Sequence, residues 1–281
     1  MLSVNLMGGL GNQLFQIFTL INLSLIKKIP FKIPRNKKDL VSPHDNTCQR
    51  PTYWDTIFKN INIFTQQFEE PCKILQEQSF LYSSLENIEF SKNINVKLNG
   101  YFQSEKYFYT NFENIKKLLK LNELQNLIKN NNHSYFSDRI VSLHFRIGDY
   151  KNIQNFHPVL KIEYYEKAIE FIYNKKKVNK VLYFGENKDI KEIEYKVAIL
   201  KVKFPAIEFI KCKDNLQDWE QLLLMSCCND NIIANSSFSW WGAYLNNNKD
   251  KIICYPNIWF GPQIKNDTKD LFPESWNKIE L

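Results

Sequence analysis

Three stretches of the chain carry residue types that could handle a charged ligand. The first, His144-Phe145-Arg146-Ile147-Gly148-Asp149-Tyr150, follows an apolar run and gathers a cation, a carboxylate and a glycine in one turn. Arginine is scarce here: Arg35, Arg50, Arg139 and Arg146 stand against many lysines. A guanidinium offers a planar fork of donors to phosphate oxygens, which an ammonium cannot reproduce. Arg146 is therefore a candidate for holding a diphosphate. A plain Arg146–Asp149 pair that closes the turn is the structural alternative.

The second stretch runs from Ile232 to Ala243 and passes from an apolar strand through Asn235, Ser236, Ser237 and Phe238 into a helix. Small hydroxyl residues cap helices, and the free N–H groups beyond them form an anion site. Capping alone would also account for Ser236 and Ser237, and the two roles can coexist. Trp240 and Trp241 read as core packing in preference to sugar stacking. The third stretch is Gly8-Gly9-Leu10-Gly11-Asn12-Gln13. Gln13 occupies the third glycine position of a dinucleotide fingerprint, no acidic residue closes the next strand region, and no Gly-Lys-Ser/Thr follows. A turn of this kind lets backbone approach a ligand, or another domain, closely. No Asp-x-Asp occurs in the chain, so no metal site is expected. Arg146 and helix-end amides would then neutralise a departing diphosphate.

Elements able to position these stretches can be read from apolar patterning. Leu2 to Leu6 reads as a strand, followed by a long helix from about Asn12 that is apolar nearly all round. Val96 to Phe102 is a second strand, and a helix carries Ile115, Leu118 and Leu119. The Asn-rich segment Lys129 to Ser134 reads as a linker, which gives domains 1–132 and 133–281. Beyond it, strands at Ile140–Phe145, Val181–Phe184, Ile207–Ile210, Ile232–Ala234 and finally Ile252–Tyr255 are expected. Helices are expected around Ile162–Ile172, Leu216–Cys227 and Phe238–Leu245. Such alternation implies parallel sheet with right-handed crossovers. The expected architecture is two α/β domains facing each other across a cleft, with ligands at the carboxyl ends of strands.

Composition excludes several classes. A hydrophobic content of 44% and a charged content of 24% fit a globular protein. The net charge of +7 comes from scattered lysines; the one cluster, Lys175 to Lys177, ends an amphipathic helix where cations suit the helix dipole. Nucleic-acid binding is not expected. Cys48, Cys72, Cys212, Cys227, Cys228 and Cys254 form no C-x-x-C pair, and reduced thiols are expected. The apolar run Leu14 to Ile26 is too short and too interrupted to span a bilayer, and no basic region precedes it. A cytoplasmic setting, peripheral to a membrane at most, is expected, with no transmembrane anchor. The sequon Asn235-Ser236-Ser237 falls in the proposed ligand pocket, which agrees with an unmodified chain.

Four ordered segments resemble the α-1,2-fucosyltransferases of glycosyltransferase family 11. They are Gly8 to Gln16, Gly100-Tyr101-Phe102-Gln103-Ser104-Glu105-Lys106-Tyr107-Phe108, His144 to Tyr150, and Ser236 to Leu245. The resemblance implies a GT-B-like fold of two Rossmann-like domains, a GDP-fucose donor, no metal or other cofactor, and inversion onto the 2-hydroxyl of a galactose-containing glycan. Carried over, Arg146 would bind the β-phosphate, His144 would lie near guanine, and Asp218 would be a candidate for reading it. Asn235, Ser236, Ser237 and Phe238 would line the diphosphate. Asp149 and Glu105 are candidates for the base. Gly9, Gly11, Asn12, Gln13 and Glu105 would face the acceptor from the N-terminal domain. One departure stands out: Ile147 replaces the second arginine of the family's motif.

Overall fold

In the computed structural model, residues 1–35, 40–42, 45–67, 71–90 and 94–281 are described, without the side chains of 41–49. The chain divides into two compact units. Unit 1 comprises Met1–Leu124 together with Asn266–Pro273, and unit 2 comprises Gln125–Lys265 together with Glu274–Leu281. Both are α/β, each built on a parallel main sheet, the class expected.

Unit 1 begins with β1 (Leu2–Val4) and α1 (Leu10–Lys27), and continues through β2 (Ile33–Pro34), β3 (Leu40–Ser42), β4 (Asp45–Arg50), β5 (Thr65–Gln66), β6 (Lys73–Gln76) and β7 (Val96–Asn99). A helix, α2 (Phe112–Leu119), follows, and α3 (Leu121–Asn131) contains the division between the units. The sheet order is β1-β7-β6, all parallel, with Leu2 opposite Val96 and Gln76 opposite Asn99. As expected, α1 is buried nearly all round, and this includes Gln13, Gln16 and Asn22. Their amides bond distant backbone: Gln16 Nε2 donates to Gly100 O at 3.1 Å and Asn22 Nδ2 to Tyr107 O at 2.7 Å. A buried amide is costly unless it is paired, so these bonds fix which loops may lie against α1. Residues 266–273 are held in unit 1 by Asp270, whose backbone oxygen accepts from Ser104 Oγ at 2.6 Å. Its carboxylate accepts from Lys106 Nζ at 2.5 Å and from the Tyr82 N–H at 3.0 Å.

Unit 2 contains β8 (Ile140–His144), α4 (Ile162–Lys175), β9 (Lys180–Phe184), α5 (Ile190–Lys203), β10 (Glu208–Lys211), α6 (Asp218–Ser226), β11 (Asp230–Ile232), α7 (Ser237–Tyr244), β12 (Ile253–Pro256) and β13 (Asn277–Ile279). Its sheet runs β10-β9-β8-β11-β12-β13, parallel throughout. Val141, Leu143, Val181, Ile232 and Cys254 belong to a core that α4 and α5 cover through Tyr164, Tyr165, Ile169, Ile193 and Val197.

Two elements of unit 2 were not foreseen, α5 and the edge strand β13. The Lys129–Ser134 stretch, expected to be a linker, is helical. Asn132 Nδ2 donates back to Ile128 O at 2.9 Å, and both residues are buried, so Asn here closes a helix end. Among the described residues, Cys72, Cys212, Cys227, Cys228 and Cys254 are free thiols, while the side chain of Cys48 lies outside the description. No helix among the described residues is long and apolar enough to cross a membrane.

Candidate functional site

Strand order in unit 2 locates the site. From β8 the chain moves outward through β9 to β10, then returns to β11 on the other side of β8 and continues to β12 and β13. Where the order reverses, the loops leaving adjacent carboxyl ends diverge and open a crevice. Those two loops carry Phe145 to Asn152 and Ile233 to Ser236. The two chemically suggestive stretches of this unit thus meet: the Tyr150 hydroxyl donates to Asn235 O at 3.1 Å, and the His144 and Phe238 rings lie 5.5 Å apart.

Arg146 projects from the first loop, largely buried. Its guanidinium donates to Asp149 and to Glu186, the latter just beyond β9, and its plane lies over the Tyr150 ring at 4.6 Å. Burial pulls its pKa down, but Tyr150, Asp149 and Glu186 outweigh this and the net shift is upward. Lys188 also pairs with Glu186, at 2.6 Å. Gly148 has φ +37°, a conformation that favours glycine, and a Cβ there would meet Glu186 Oε1 at 2.8 Å, the movable end of that side chain. The Gly148 N–H donates to Asp189 at 2.7 Å, and Lys151 ties to the same carboxylate at 2.9 Å. Ile147 turns into the hydrophobic core of the unit. The position that holds an arginine in the family's motif therefore contributes packing in this chain.

His144 ends β8. Burial, with the charge of Arg146 second, pushes its pKa down to about 3, so the ring is neutral. Its buried Nδ1 has no hydrogen-bond partner. Asn235 Nδ2 donates to Pro158 O at 2.9 Å and Trp259 O at 3.2 Å, while its buried Oδ1 has no partner. The sequon nitrogen is thus engaged inside the fold. Buried polar atoms are nearly always paired, so two unpaired ones beside a strand-order reversal fit a site that a polar ligand completes. Ser236 caps α7, accepting from the Phe238 N–H at 3.3 Å, and Ser237 opens that helix. The Ser236 cap takes up the Phe238 N–H, one of the N–H groups that a helix N-terminus leaves without an intrahelical partner. Trp240 and Trp241 are fully buried, with Trp240 stacked on Tyr244 at 4.6 Å, which is the packing role expected. Asp218 stands apart from this group: it opens α6 after β10, with β9 between β10 and β8.

The motifs of unit 1 also converge, at the carboxyl ends of β1 and β7. Gly8 has φ +73°, and a Cβ there would strike Asn12 Nδ2 at 2.4 Å. Gly9 caps α1, with open space where a Cβ would stand. Gly11 lies within α1, and Asn12 Oδ1 accepts from Gln103 Nε2 at 2.9 Å. Gln13 is fully buried and donates to Gly8 O at 3.0 Å and Pro51 O at 2.9 Å, so this side chain holds the loop together. Glu105 begins a single helical turn, Glu105–Tyr107, and is half-buried.

Sequence reasoning missed Glu186 and Glu77. Glu186 could have been noticed as the first charge after the Val181–Phe184 strand, but its bond to Arg146 depends on β9 lying beside β8. Glu77 follows β6, which is partly exposed and gave no apolar signal. Among the described residues no group of three His, Cys, Asp or Glu side chains is placed to hold a metal ion.

The model of glycosyl transferase family 11 matches residues 1–280. The O-antigen biosynthesis glycosyltransferase WbnK of Escherichia coli is 34% identical over 211 residues, 72% of this chain and 66% of that protein's length. An alpha-1,2-colitosyltransferase of Escherichia coli is 29% identical over 98% of this chain and 97% of its own. A galactoside 2-alpha-L-fucosyltransferase of Caenorhabditis elegans is 24% identical over 97% of this chain and 77% of its own. Because the match runs through both units, and through the arginine loop and the helix cap that the strand reversal brings together, the chain belongs to glycosyl transferase family 11 and is a glycosyltransferase.

Proposed function

We propose that the protein transfers L-fucose from GDP-β-L-fucose to the 2-hydroxyl of a galactose-containing glycan, inverting the sugar carbon and using no metal ion. The observation that carries this reading is the placement of Arg146, the sole arginine at the strand-order reversal, beside the N-terminus of α7 and two unpaired buried polar atoms. In this reading unit 2 holds the donor and unit 1 the acceptor. The β-phosphate takes the place of Glu186 on the Arg146 fork. Ser236, Ser237, Phe238 and Asn235 line the diphosphate, the neutral His144 lies on the nucleoside side, and Asp218 is assigned to the guanine.

The acceptor oxygen bonds to the anomeric carbon as the bond to the β-phosphate breaks. Arg146 and the α7 amides stabilise the charge that collects on GDP. The hydroxyl proton passes to a base or leaves late from an oxocarbenium-like transition state. Asp149 is ion-paired with Arg146 in this structure. That ion pair holds the guanidinium in place, so Asp149 is assigned to positioning Arg146 and Glu105 to the base. A cytoplasmic setting, peripheral to a membrane, belongs to the same proposal.

A second reading keeps the α-1,2 linkage and changes the donor sugar; the colitosyltransferase relative, matched over 98% of this chain, favours it. Release of GDP from GDP-fucose and from other GDP-linked deoxysugars, with and without lactose, separates the two. Lactose-stimulated release from GDP-fucose that persists in EDTA supports the first reading. Release from another GDP-sugar alone supports the second, and dependence on an added divalent ion overturns the metal-free step.

A further inference from the structure

The carboxyl edge of the unit 1 sheet carries a polar surface that no function above uses. Three strand ends lie side by side in the order β1-β7-β6. Asn5 follows β1, Asn99 ends β7 and Gln76 ends β6. Their side chains form a row: Asn5 Nδ2 donates to Asn99 Oδ1 at 2.9 Å, and Asn99 Nδ2 donates to Gln76 Oε1 at 2.5 Å. None of the three is buried, whereas Val96 and Leu98, which alternate with Asn99 along β7, face the core.

Beside the row the chain makes an unusual turn. Both oxygens of Glu77 accept backbone N–H groups, from Tyr101 at 2.7 Å and from Phe102 at 2.9 Å. Phe102 has φ +51° and is buried, a left-handed conformation rarely adopted by a bulky side chain. A Cβ at Gly100 would meet Glu77 Cβ at 2.3 Å, so the carboxylate packs directly on the glycine. Burial raises the pKa of Glu77 despite the two N–H groups, which act to lower it. A strained turn built around a partly desolvated carboxylate, at the end of a sheet where ligands collect, is arranged for recognition more than for packing.

We propose that the Gly100–Gln103 turn, with Asn5, Gln76, Glu77, Asn99 and the half-buried ring of Tyr101, is the platform that receives the acceptor sugar. The proposal rests on the transfer to a galactose-containing glycan put forward above. Fixed amides present donor and acceptor together, which suits neighbouring hydroxyls on a ring. Each Glu77 oxygen keeps a lone pair beyond its backbone bond, available to a sugar hydroxyl. The Tyr101 ring offers a flat apolar face to the C–H side of a pyranose. A carboxylate among neutral amides favours an uncharged sugar over a phosphate.

The test uses Asn99→Ala, Gln76→Ala, their double variant and Glu77→Gln in the full chain. Lactose binding is read by saturation-transfer NMR, GDP binding by calorimetry, and KM and kcat with GDP-fucose. Loss of one hydrogen bond to the acceptor corresponds to about a tenfold rise in lactose KM, and both amides together to more. GDP affinity and the unfolding temperature of the amide variants stay at wild-type values. Glu77→Gln also removes the acid limb of the kcat/KM profile, a change that purely structural support of the turn would not produce. Wild-type lactose KM in the double variant overturns the platform. If the wild-type enzyme binds GDP and transfers nothing to any galactoside, the activity reading fails, and NMR with a hexose panel decides the platform separately. Contact with Tyr101 protons that is lost in the double variant supports it, and no contact with any hexose overturns it.

Discussion

Two turns at the ends of parallel strands, one in each unit, are built on opposite electrostatic plans. After β8, a cation sits at the centre: Arg146 is held by the carboxylates of Asp149 and Glu186, with a neutral histidine next to it. After β7, an anion sits at the centre: Glu77 is held by two backbone N–H groups, with a row of neutral amides next to it. Carboxylates on an arginine are exchangeable for another anion, which in the proposed function is the diphosphate of the donor. Backbone N–H groups are not exchangeable without undoing the turn, so the second presents a permanent surface. The same fold class thus supports a site that trades partners and a site that keeps them.

The most direct way to break this contrast is Arg146→Lys. An ammonium keeps the charge and loses the fork, and the expected fall in kcat is about a hundredfold to a thousandfold, with the unfolding temperature little changed. Near-normal turnover would remove Arg146 from the proposed chemistry.

Acid should act on the two turns with opposite sign. His144 stays neutral in the folded protein to about pH 3, whereas an unfolded histidine takes a proton near 6.5. Its contribution is present above pH 6.5 and is lost as pH falls toward 3, by at most about 1.4 kcal/mol per pH unit. Glu77 has a raised pKa, so its contribution is present below the ordinary carboxylate value and is lost as pH rises through the folded one. Thermal unfolding followed against pH should therefore show less acid loss in His144→Asn and more in Glu77→Gln than in the wild type. Parallel curves for all three proteins would contradict both assignments.

Smaller effects sharpen the comparison. Ser236→Ala removes the cap of α7 and should cost about 1 kcal/mol of stability, read by urea unfolding. Glu186→Gln removes one of the anions that compete for Arg146, and GDP should bind about threefold more tightly by calorimetry. Weaker GDP binding would mean that Glu186 contributes to the nucleotide site in its own right.

Where short-range pattern governs, the chain was readable. The strand at Ile140 and the helix at Ile162 were placed to within a residue or so, and the helix opening after Ser236 was expected as a cap. The convergence of the arginine loop with Asn235 also followed once the parallel alternation was accepted. What escaped depends on distant neighbours. The helix α5 was unread because Tyr195 and Val202 stand on its solvent side, 70% and 84% exposed, and blur the apolar stripe. β13 is a three-residue edge strand with little apolar content. The partners of Arg146 and of the Gly100 turn, Glu186 and Glu77, are supplied by adjacent strands that no local spacing reveals. Asn132, whose type suggested a linker, serves instead to end a helix.

The return of residues 266–273 to unit 1 bears on how the protein is made. Asp270 supplies partners to Ser104, Lys106 and Tyr82, so the first unit stays incomplete while most of the second is being synthesised. β13 likewise joins its sheet only after that segment. Domains of many proteins finish in order of emergence from the ribosome, N-terminal first. Here both halves wait for the same short stretch of message, so a nascent chain stalled before Asp270 would hold two unfinished units and no working enzyme.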